Sequence, residues 1–459
     1  MNRKITYIIL IVLLFLPSIA NANSGPVYWE GHPSADVMVI DQNSQIIVEN
    51  EDLLFDFENE GDFSHTIEGK VTATYEMVNP TNETLSRPMV FPLISNVNRF
   101  STETTKILVD NQAIPYEVYI GDAVNSDNKR SYFEFEKIVK NITNHPYKAQ
   151  HFEESEIGKL YRIQVEPTTN EELIIAIDFE LDHRNTKVLV NGFNGFERND
   201  SKTILSAWCN QPATVELFVI GEDIDFNIQG YTDGSLKNKS DHLTYKVFTT
   251  EVMVEDYLFE MIKKSPEIQK NQPIANYQLY NLFAEKLDEQ FKYNGGFGAV
   301  HDLLDQANQD HVLSLVYSVQ FLPHSKRKVT VSYSSYGTMD KTETISPLYI
   351  FDYLLNPAKN WSDFKNLNVK IIPPKGAPFI VNSTITLIKG ENNVYTANLK
   401  QLPDVDLSFT FYSKGKISFM DKVMGDLNDY FILVFLFAIA SIFILIIRFL
   451  IHKRRKRPI

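Results

Sequence analysis

The stretch Tyr161-Arg-Ile-Gln-Val-Glu-Pro-Thr-Thr-Asn-Glu-Glu-Leu-Ile-Ile175 decides the fold, because it recurs further along the chain. It aligns without gaps on Tyr317-Ser-Val-Gln-Phe-Leu-Pro-His-Ser-Lys-Arg-Lys-Val-Thr-Val331, and Pro167 matches Pro323. Each copy has the alternation of a β-strand, a polar turn that begins with Pro, and a second strand that returns as a hairpin. Convergent hairpin chemistry can also produce such a match. A helical stretch precedes both copies, however, which favours two related β-sandwich domains.

Strand patterns also dominate the region before this repeat. Apolar and polar residues alternate over Val71–Met77, as in a half-buried antiparallel strand. Asn79-Pro-Thr-Asn-Glu83 is a predicted turn, since Pro presets φ and Asn tolerates positive φ. Further strands follow at Arg87–Leu93, Thr105–Val109 and Ile114–Ile120, and together they predict a β-meander.

Three segments have helical patterns. Phe135–Ile142 precedes the first copy of the repeat, and Tyr277–Phe291 precedes the second. The second helix carries an apolar stripe at helical spacing, and we expect this stripe to pack on a sheet rather than to form a groove for a partner. A shorter helix, Val254–Lys264, should end before Pro266.

Both ends of the chain predict membrane targeting. Residues 1–22 have the charged start, apolar centre and Ala-Asn-Ala end of a secretory signal. Residues 430–451 form an apolar segment long enough to span a bilayer, with Arg448 able to extend its charge towards the surface. The positive-inside rule then places the basic tail in the cytoplasm and the rest outside it. The residues that set this topology are Arg448, Lys453, Arg454, Arg455, Lys456 and Arg457.

These patterns predict a mainly β (α+β) protein with tandem antiparallel β-sandwich domains, helical inserts and one C-terminal transmembrane helix. The predicted division is a signal peptide (1–22), an N-terminal β-sandwich region (23–250) with a helical insert near 132–145, a helical insert (251–311), a C-terminal β-sandwich (312–413), a juxtamembrane linker (414–429), the transmembrane helix (430–451) and a basic cytoplasmic tail (452–459).

The charge and the cysteine content of the chain restrict the partners and the chemistry that it can have. The chain has 44 Lys and Arg residues against 58 Asp and Glu residues. Without the eight basic residues of the two ends, 36 basic residues remain, so the predicted ectodomain has a net charge of about −22. Such a charge repels nucleic acid and anionic lipid. The lone cysteine, Cys209, permits no intrachain disulfide, and an extracytoplasmic chain of this length without disulfides favours a bacterial host. A buried, unreactive thiol is the expected state of Cys209.

The candidate metal sites fail on spacing. His145, His151, Glu153 and Glu154 are a tight cluster, but they lack the i, i+4 pair of a helical zinc site, so a solvated loop is favoured. Asp223, Asp225 and Asn227 resemble the start of a calcium loop. Position six of that loop is Ile228 rather than Gly, and position twelve is Gly234 rather than Glu, so the polar face of a strand is favoured.

For two further motifs, a structural role is favoured over a binding role. Asn294-Gly-Gly-Phe-Gly298 is rich in glycine but lacks the Lys-Ser/Thr of a phosphate-binding loop, and it is interpreted as a flexible connector. Trp29 follows the predicted mature start, where it can bind a sugar or partner but is expected to cover the first sandwich.

Two resemblances follow from these patterns. The segments Val71–Glu83, Val90–Leu93 and Ile107–Pro115 resemble the β-sandwich of vault and inter-alpha-trypsin type domains over residues 69–120. The whole chain resembles signal-plus-anchor surface proteins of clostridia and related Gram-positive bacteria, through Phe135–Val139, Lys187–Phe193 and Tyr353–Trp361. These resemblances imply architecture and location, and they assign no site residue.

The sequence therefore predicts a membrane-anchored, extracytoplasmic binding or display protein that contacts a protein or the cell envelope, with no cofactor, metal or catalytic residue and no nucleic-acid partner. Two alternatives stay open. One is a cell-envelope hydrolase that uses paired carboxylates about 5–9 Å apart in a cleft. The other is the ectodomain of a sensor complex, which would need a partner in the membrane.

Overall fold

The computed structural model describes residues 27–40, 44–58, 65–124, 133–169, 172–199, 201–265, 268, 273–274 and 276–423. The predicted signal peptide, transmembrane helix and basic tail lie outside these residues. Within the described part of the chain, no helix has both the length and the apolar composition needed to span a bilayer.

The described residues form mainly β-strands. The strands are β1 (Tyr28–Trp29), β2 (Ser34–Ala35), β3 (Met38–Val39), β4 (Ile47–Asp56), β5 (Glu68–Val78), β6 (Leu85–Ser95), β7 (Lys106–Val109), β8 (Gln112–Ala113), β9 (Glu117–Ala123), β10 (Ile157–Pro167), β11 (Leu173–Glu180), β12 (Thr186–Asn191), β13 (Gly195–Asn199), β14 (Lys202–Cys209), β15 (Ala213–Gly221), β16 (Phe226–Tyr231), β17 (Lys239–Ser240), β18 (Leu243–Met253), β19 (Phe297–Ala299), β20 (His311–Phe321), β21 (Lys326–Tyr336), β22 (Thr338–Asp340), β23 (Leu348–Leu354), β24 (Asp363–Ile372), β25 (Phe379–Ser383), β26 (Ile388–Lys389), β27 (Tyr395–Leu399) and β28 (Leu407–Tyr412). The α-helices are α1 (Phe135–Asn141), α2 (Val254–Lys264), α3 (Asn276–Tyr293) and α4 (Val300–Ala307), and short 3-10 helices span Asn356–Asn360 and Glu391–Asn393.

Strands from both ends of the described chain build one sandwich, which we call the outer sandwich. One layer is an eight-stranded sheet in the order β26-β27-β24-β4-β5-β21-β7-β8. The other layer combines a four-stranded sheet, β3-β6-β20-β9, with a six-stranded sheet, β1-β22-β23-β28-β25, in which β2 also pairs with β23. A single hydrophobic core joins the two layers. At its centre the ring of Phe57 lies 4.5 Å from that of Phe351 and 5.0 Å from that of Phe411, centroid to centroid.

The middle of the chain forms a second sandwich, which we call the inserted sandwich. Its two five-stranded sheets have the orders β18-β10-β15-β12-β19 and β13-β14-β11-β16-β17. Inward-facing residues of the two sheets, such as Ile163, Ile177 and Leu217, are fully buried between them. All pairs in this sandwich are antiparallel except β12 with β19.

A helical layer covers the outer face of the first of these sheets. Tyr280, Phe283 and Leu287 of α3 are fully buried, so the predicted apolar stripe does pack in the core. Tyr257 of α2 stacks on Phe218 of the sheet at 4.4 Å between centroids. The amino-terminal end of α3 also reaches the outer sandwich, where the Gln278 side chain accepts a hydrogen bond from the main-chain N–H of Ile120.

The mainly β prediction is confirmed, but the strand pairing differs from the predicted tandem order of sandwiches at 23–250 and 312–413. The chain leaves the outer sandwich after β9 and returns at β20, and these two strands are antiparallel neighbours. Residues 124–310 are therefore an insertion between paired strands. Period-two alternation identifies a strand and its buried face, but it does not identify the partner strand, so the sequence suggested neighbours that are close along the chain.

The predicted hairpins and meander are wrong for the same reason. The strands of the first repeat copy, β10 and β11, belong to opposite sheets of the inserted sandwich, and β20 and β21 belong to opposite layers of the outer one. Strands β5 and β6 are divided in the same way. Each turn therefore crosses the roughly 10 Å between layers instead of closing a ladder. Both copies of the repeat do share this arrangement.

Candidate functional site

A groove lies where the carboxyl-terminal end of α3 meets the inserted sandwich. Its volume is about 660 Å³, and we call it the aromatic groove. It is lined by Val190, Phe193, Asn194, Gly195, Phe196, Arg198, Leu205, Tyr293, Asn294, Gly295, Phe297, Ala299, His301 and Asp302. The side chains come from three places: the end of β12, the pair β13 and β14, and the chain from α3 to α4. Segments that are far apart in sequence thus form one concave surface.

The floor of the groove is apolar. Phe297 is 7% exposed and its ring lies 4.5 Å from that of Phe196, centroid to centroid, with a tilt of 33°. Phe196 itself is 53% exposed. Val190 and Leu205 are buried beside them. A buried ring that supports a half-exposed one presents a fixed apolar surface, and an incoming apolar group gains free energy by covering it.

The glycine-rich loop that forms one wall is held in place. Gly295 and Gly296 have φ values of 56° and 76°, which glycine adopts readily, and they end α3. The N–H of Gly296 donates to the carbonyl of Phe291 at 2.9 Å, and the N–H of Val188 donates to the carbonyl of Gly296 at 2.8 Å. This loop is therefore a fixed helix cap, which corrects its interpretation as a flexible connector.

The guanidinium of Arg198 holds this glycine-rich wall in place through hydrogen bonds. It donates to the carbonyl of Asn294 at 2.8 Å and to that of Gly295 at 3.2 Å. It thereby satisfies main-chain acceptors at the end of α3, where a cation is also favoured by the helix dipole. Arg198 is thus a positioning residue of the groove.

The rim of the groove is exposed and polar. Tyr293 is 73% exposed, and the ammonium of Lys292 lies 4.9 Å from its ring centroid. The imidazole of His301 lies 3.5 Å from the Asp305 carboxylate, one turn further along α4. An apolar floor inside a polar rim is the usual composition of a binding pocket.

The predicted His and Glu cluster is dispersed. The Nδ1 of His151 lies 2.9 Å from the Asp288 carboxylate on α3, and the N–H groups of His151 and Gln150 also donate to Asp288. Burial alone would raise the pKa of Asp288, but these hydrogen bonds outweigh it, so the pKa lies below its ordinary value. His145 lines a separate cavity of about 380 Å³. Glu153 and Glu154 join neither group, so His151 alone of these four residues ties the loop to Asp288 of α3.

Asp223, Asp225 and Asn227 are predicted to form the polar face of a strand, but the strand begins at Phe226, so only Asn227 lies on it. Asp223 pairs with Lys159 and accepts a hydrogen bond from Tyr161. Partial burial would raise the pKa of Asp223, but these partners hold it below its ordinary value. Asp225 is exposed, and Asn227 lies on β16. Within the described ranges, no group of three or more His, Cys, Asp or Glu residues can hold a metal ion.

The contacts of Cys209 and Trp29 indicate structural roles for both side chains. The Cys209 side chain is buried, its thiol donates to the carbonyl of Gln211 at 3.4 Å, and burial raises its pKa, which disfavours the reactive thiolate. Trp29 belongs to β1, where it pairs with Met339 of β22. It also lines a cavity of about 70 Å³ at the edge of the outer sandwich.

Sequence reasoning missed the groove, since its floor residues are separated by about a hundred positions along the chain. It also missed a pair of acids, Asp36 and Glu51, which are both fully buried in the outer sandwich. A local signal existed for Glu51, because it shares the parity of the apolar residues Leu53 and Phe55 on β4. Asp36 lies between β2 and β3 and has no such pattern.

Comparisons with known proteins assign no family. No protein-family model matches the sequence, and no curated protein matches it. Among solved structures, a proposed nutrient binding protein from Legionella pneumophila aligns over 84% of this chain and 73% of its own, with 8% identity and a TM-score of 0.36. The Fcho1 mu homology domain of Danio rerio, solved with an Eps15 peptide, aligns over 48% of this chain and 90% of its own, with 12% identity and a TM-score of 0.12. These scores carry no inference about fold or function.

Proposed function

We propose that this chain is a non-catalytic binding protein whose aromatic groove takes up an apolar side chain of a protein partner. The observation that carries this proposal is the half-exposed Phe196 ring, which packs against the buried Phe297 ring beside the fixed loop of Gly295 and Gly296. The volume of the aromatic groove, about 660 Å³, falls within the range of ordinary ligand pockets. Because the floor and wall are already held in place, binding requires little ordering of the protein.

The composition of the groove favours a protein partner over a glycan. Sugars need several free polar groups around the stacking ring, whereas the floor around Phe196 consists of Phe297, Val190 and Leu205, and the polar side chains belong to the rim. The guanidinium of Arg198 already donates to two main-chain carbonyls. Burial of one leucine or phenylalanine side chain contributes about 1.5–3 kcal/mol, which is typical of an anchor in a protein interface.

The location is part of the same proposal. The signal-like start, the late apolar segment and the basic residues from Arg448 to Arg457 support a single-pass membrane protein with its ectodomain outside the cytoplasm. The groove would then face the cell envelope or the medium. Its partner would be a membrane or envelope protein.

We also propose that this chain has no catalytic activity. The support for this proposal is that the candidate residues are used elsewhere: His151 pairs with Asp288, Asp223 pairs with Lys159, and Cys209 is buried. Asp36 and Glu51 are a pair of carboxyl groups, but both are fully buried in the core, whereas the hydrolase alternative requires a pair in a cleft.

Peptide selection tests the groove. Peptides selected from a random display library on the full-length protein should carry an apolar anchor, and Phe196→Ser should weaken their binding by at least about tenfold, because it removes the exposed stacking surface. Phe248→Ser is the matched control, since Phe248 is 50% exposed on β18, at the opposite edge of the same sandwich. Equal binding to the wild-type protein and the Phe196→Ser variant would refute the groove as the binding site.

A further inference from the structure

Asp36 is a fully buried acid on the first described segment of the chain. This amino-terminal segment, residues 27–40, contributes only the two-residue strands β1, β2 and β3 to the outer sandwich. The Asp36 carboxylate accepts a hydrogen bond from the N–H of Val37 at 2.7 Å and another from the hydroxyl of Tyr75. Both donors bond to the same oxygen, Oδ1. The second oxygen is left for another donor.

Glu51 lies beside it on β4 and is also fully buried. Tyr75, whose hydroxyl donates to Asp36, is the cross-strand partner of Glu51. Both oxygens of Glu51 and the second oxygen of Asp36 are buried without a donor among the described residues. Two ionised carboxylates have only acceptors, so the two groups can satisfy each other only while one of them holds a proton. Like charges this close in a dry interior also oppose ionisation of the second group.

Within the described part of the chain, the surroundings supply no positive charge to offset a second ionisation. Among the described residues, neither acid forms an ion pair. The titratable groups that act on the pair are Tyr75 on β5, Tyr317 on β20, Tyr333 on β21, Tyr353 on β23 and Asp52 on β4. These groups are four tyrosines and one further acid, and none of the five carries a positive charge.

We propose that Asp36 and Glu51 share one proton, and that this proton holds the amino-terminal segment in the outer sandwich as a pH-sensitive latch. Loss of the proton places two negative charges at one point of the core. The segment is the part that can yield, because its three strands are short, whereas Glu51 lies in a ten-residue strand that is paired on both sides. Its release would uncover the edges of β6 and β23, which β3 and β2 now pair with.

The direction of the pH effect follows from proton linkage. Burial raises the pKa of Asp36, and burial together with the Asp36 charge raises that of Glu51. The folded protein therefore holds more protons than the unfolded chain above the ordinary carboxyl pKa. Stabilisation by the pair is complete below that ordinary pKa and is lost as the pH rises through the raised values.

Amide hydrogen exchange of the full-length protein tests the latch. Protection of residues 27–40, corrected for intrinsic exchange, should fall by at least about tenfold between about pH 6 and about pH 9. Glu51→Gln keeps a donor to Asp36 without a second charge, so it should remove this pH dependence. Asp52→Asn, an exposed neighbour on the same strand, should keep it. The double variant D36N/E51Q provides the same test if Glu51→Gln alone does not fold.

Three results would overturn the proposal. One is constant protection of the amino-terminal segment over this pH range in the wild-type protein. Another is a pH dependence in Glu51→Gln equal to that of the wild type. The third is a loss of protection spread evenly over both sandwiches, which would indicate global unfolding rather than release of one segment.

Discussion

The side chain of Asn79 is fully buried and joins two loops that cross between the layers of the outer sandwich. Its Nδ2 donates to the carbonyl of Glu83 at 2.7 Å, within its own loop, and to that of Leu322 at 3.0 Å, in the loop between β20 and β21. Its Oδ1 accepts from the N–H of Thr81 at 3.0 Å. One amide thus satisfies main-chain groups of both crossings.

Asn79→Ala should lower the free energy of unfolding by about 2–4 kcal/mol, because it removes a buried amide that donates to the carbonyls of Glu83, Phe321 and Leu322. Asn82→Ala in the same loop is the matched control. Asn82 is exposed and accepts one hydrogen bond, from His324. We expect its effect to stay below about 1 kcal/mol. Chemical denaturation measures both values, and similar losses in the two variants would contradict the role given to Asn79.

Residue-level prediction from sequence succeeded where the signal is local. The Asn79–Glu83 turn, the burial of Cys209 and the strand face of Tyr75 are all properties of a residue and its near neighbours. The pair of Asp36 and Glu51 was out of reach, because the burial of Asp36 depends on a segment that packs between distant strands.

Among the elements, the cap of α3 connects fold and site most directly. Gly296 has a φ of 76°, and a Cβ atom added there would lie 2.9 Å from the carbonyl oxygen of Thr186. Gly296→Ala should therefore lower the free energy of unfolding by about 1–3 kcal/mol and weaken binding in the aromatic groove. Gly234→Ala is the control, since a Cβ at Gly234 would meet nothing within 4 Å. A neutral Gly296→Ala variant would show that this cap is not rigid.

The helices were predicted better than the sheets. Helix α2 has the predicted bounds, and α3 extends the predicted one by a few residues. A helix makes its hydrogen bonds within itself, so local sequence defines it. A strand needs a partner, and here partners come from opposite ends of the chain, as in β24 with β4 and β20 with β6. The repeat therefore predicted two successive strands in each copy correctly, but it wrongly paired them as hairpins, since the two strands of each copy lie in opposite sheets.

At the scale of the whole molecule, the insertion between β9 and β20 explains why the groove could not be predicted. The groove belongs to the inserted sandwich and to the chain that leads back from it through α3. Its opposite walls meet because β19 pairs with β12. Neither the composition of the chain nor its tandem-like repeat contains that information.

Cross-linking on intact cells tests the central claim most directly, because it examines the location and the groove together. Cysteine replaces Tyr293 at the rim, and a membrane-impermeant thiol reagent with a photoreactive group labels it. The native Cys209 is buried, so labelling is specific to the new thiol. The control is Tyr245→Cys on β18, where Tyr245 is 48% exposed. We predict a discrete protein adduct from Tyr293→Cys that disappears when Phe196→Ser is added, and none from Tyr245→Cys. No labelling of Tyr293→Cys on intact cells, or an adduct that survives Phe196→Ser, would contradict the account.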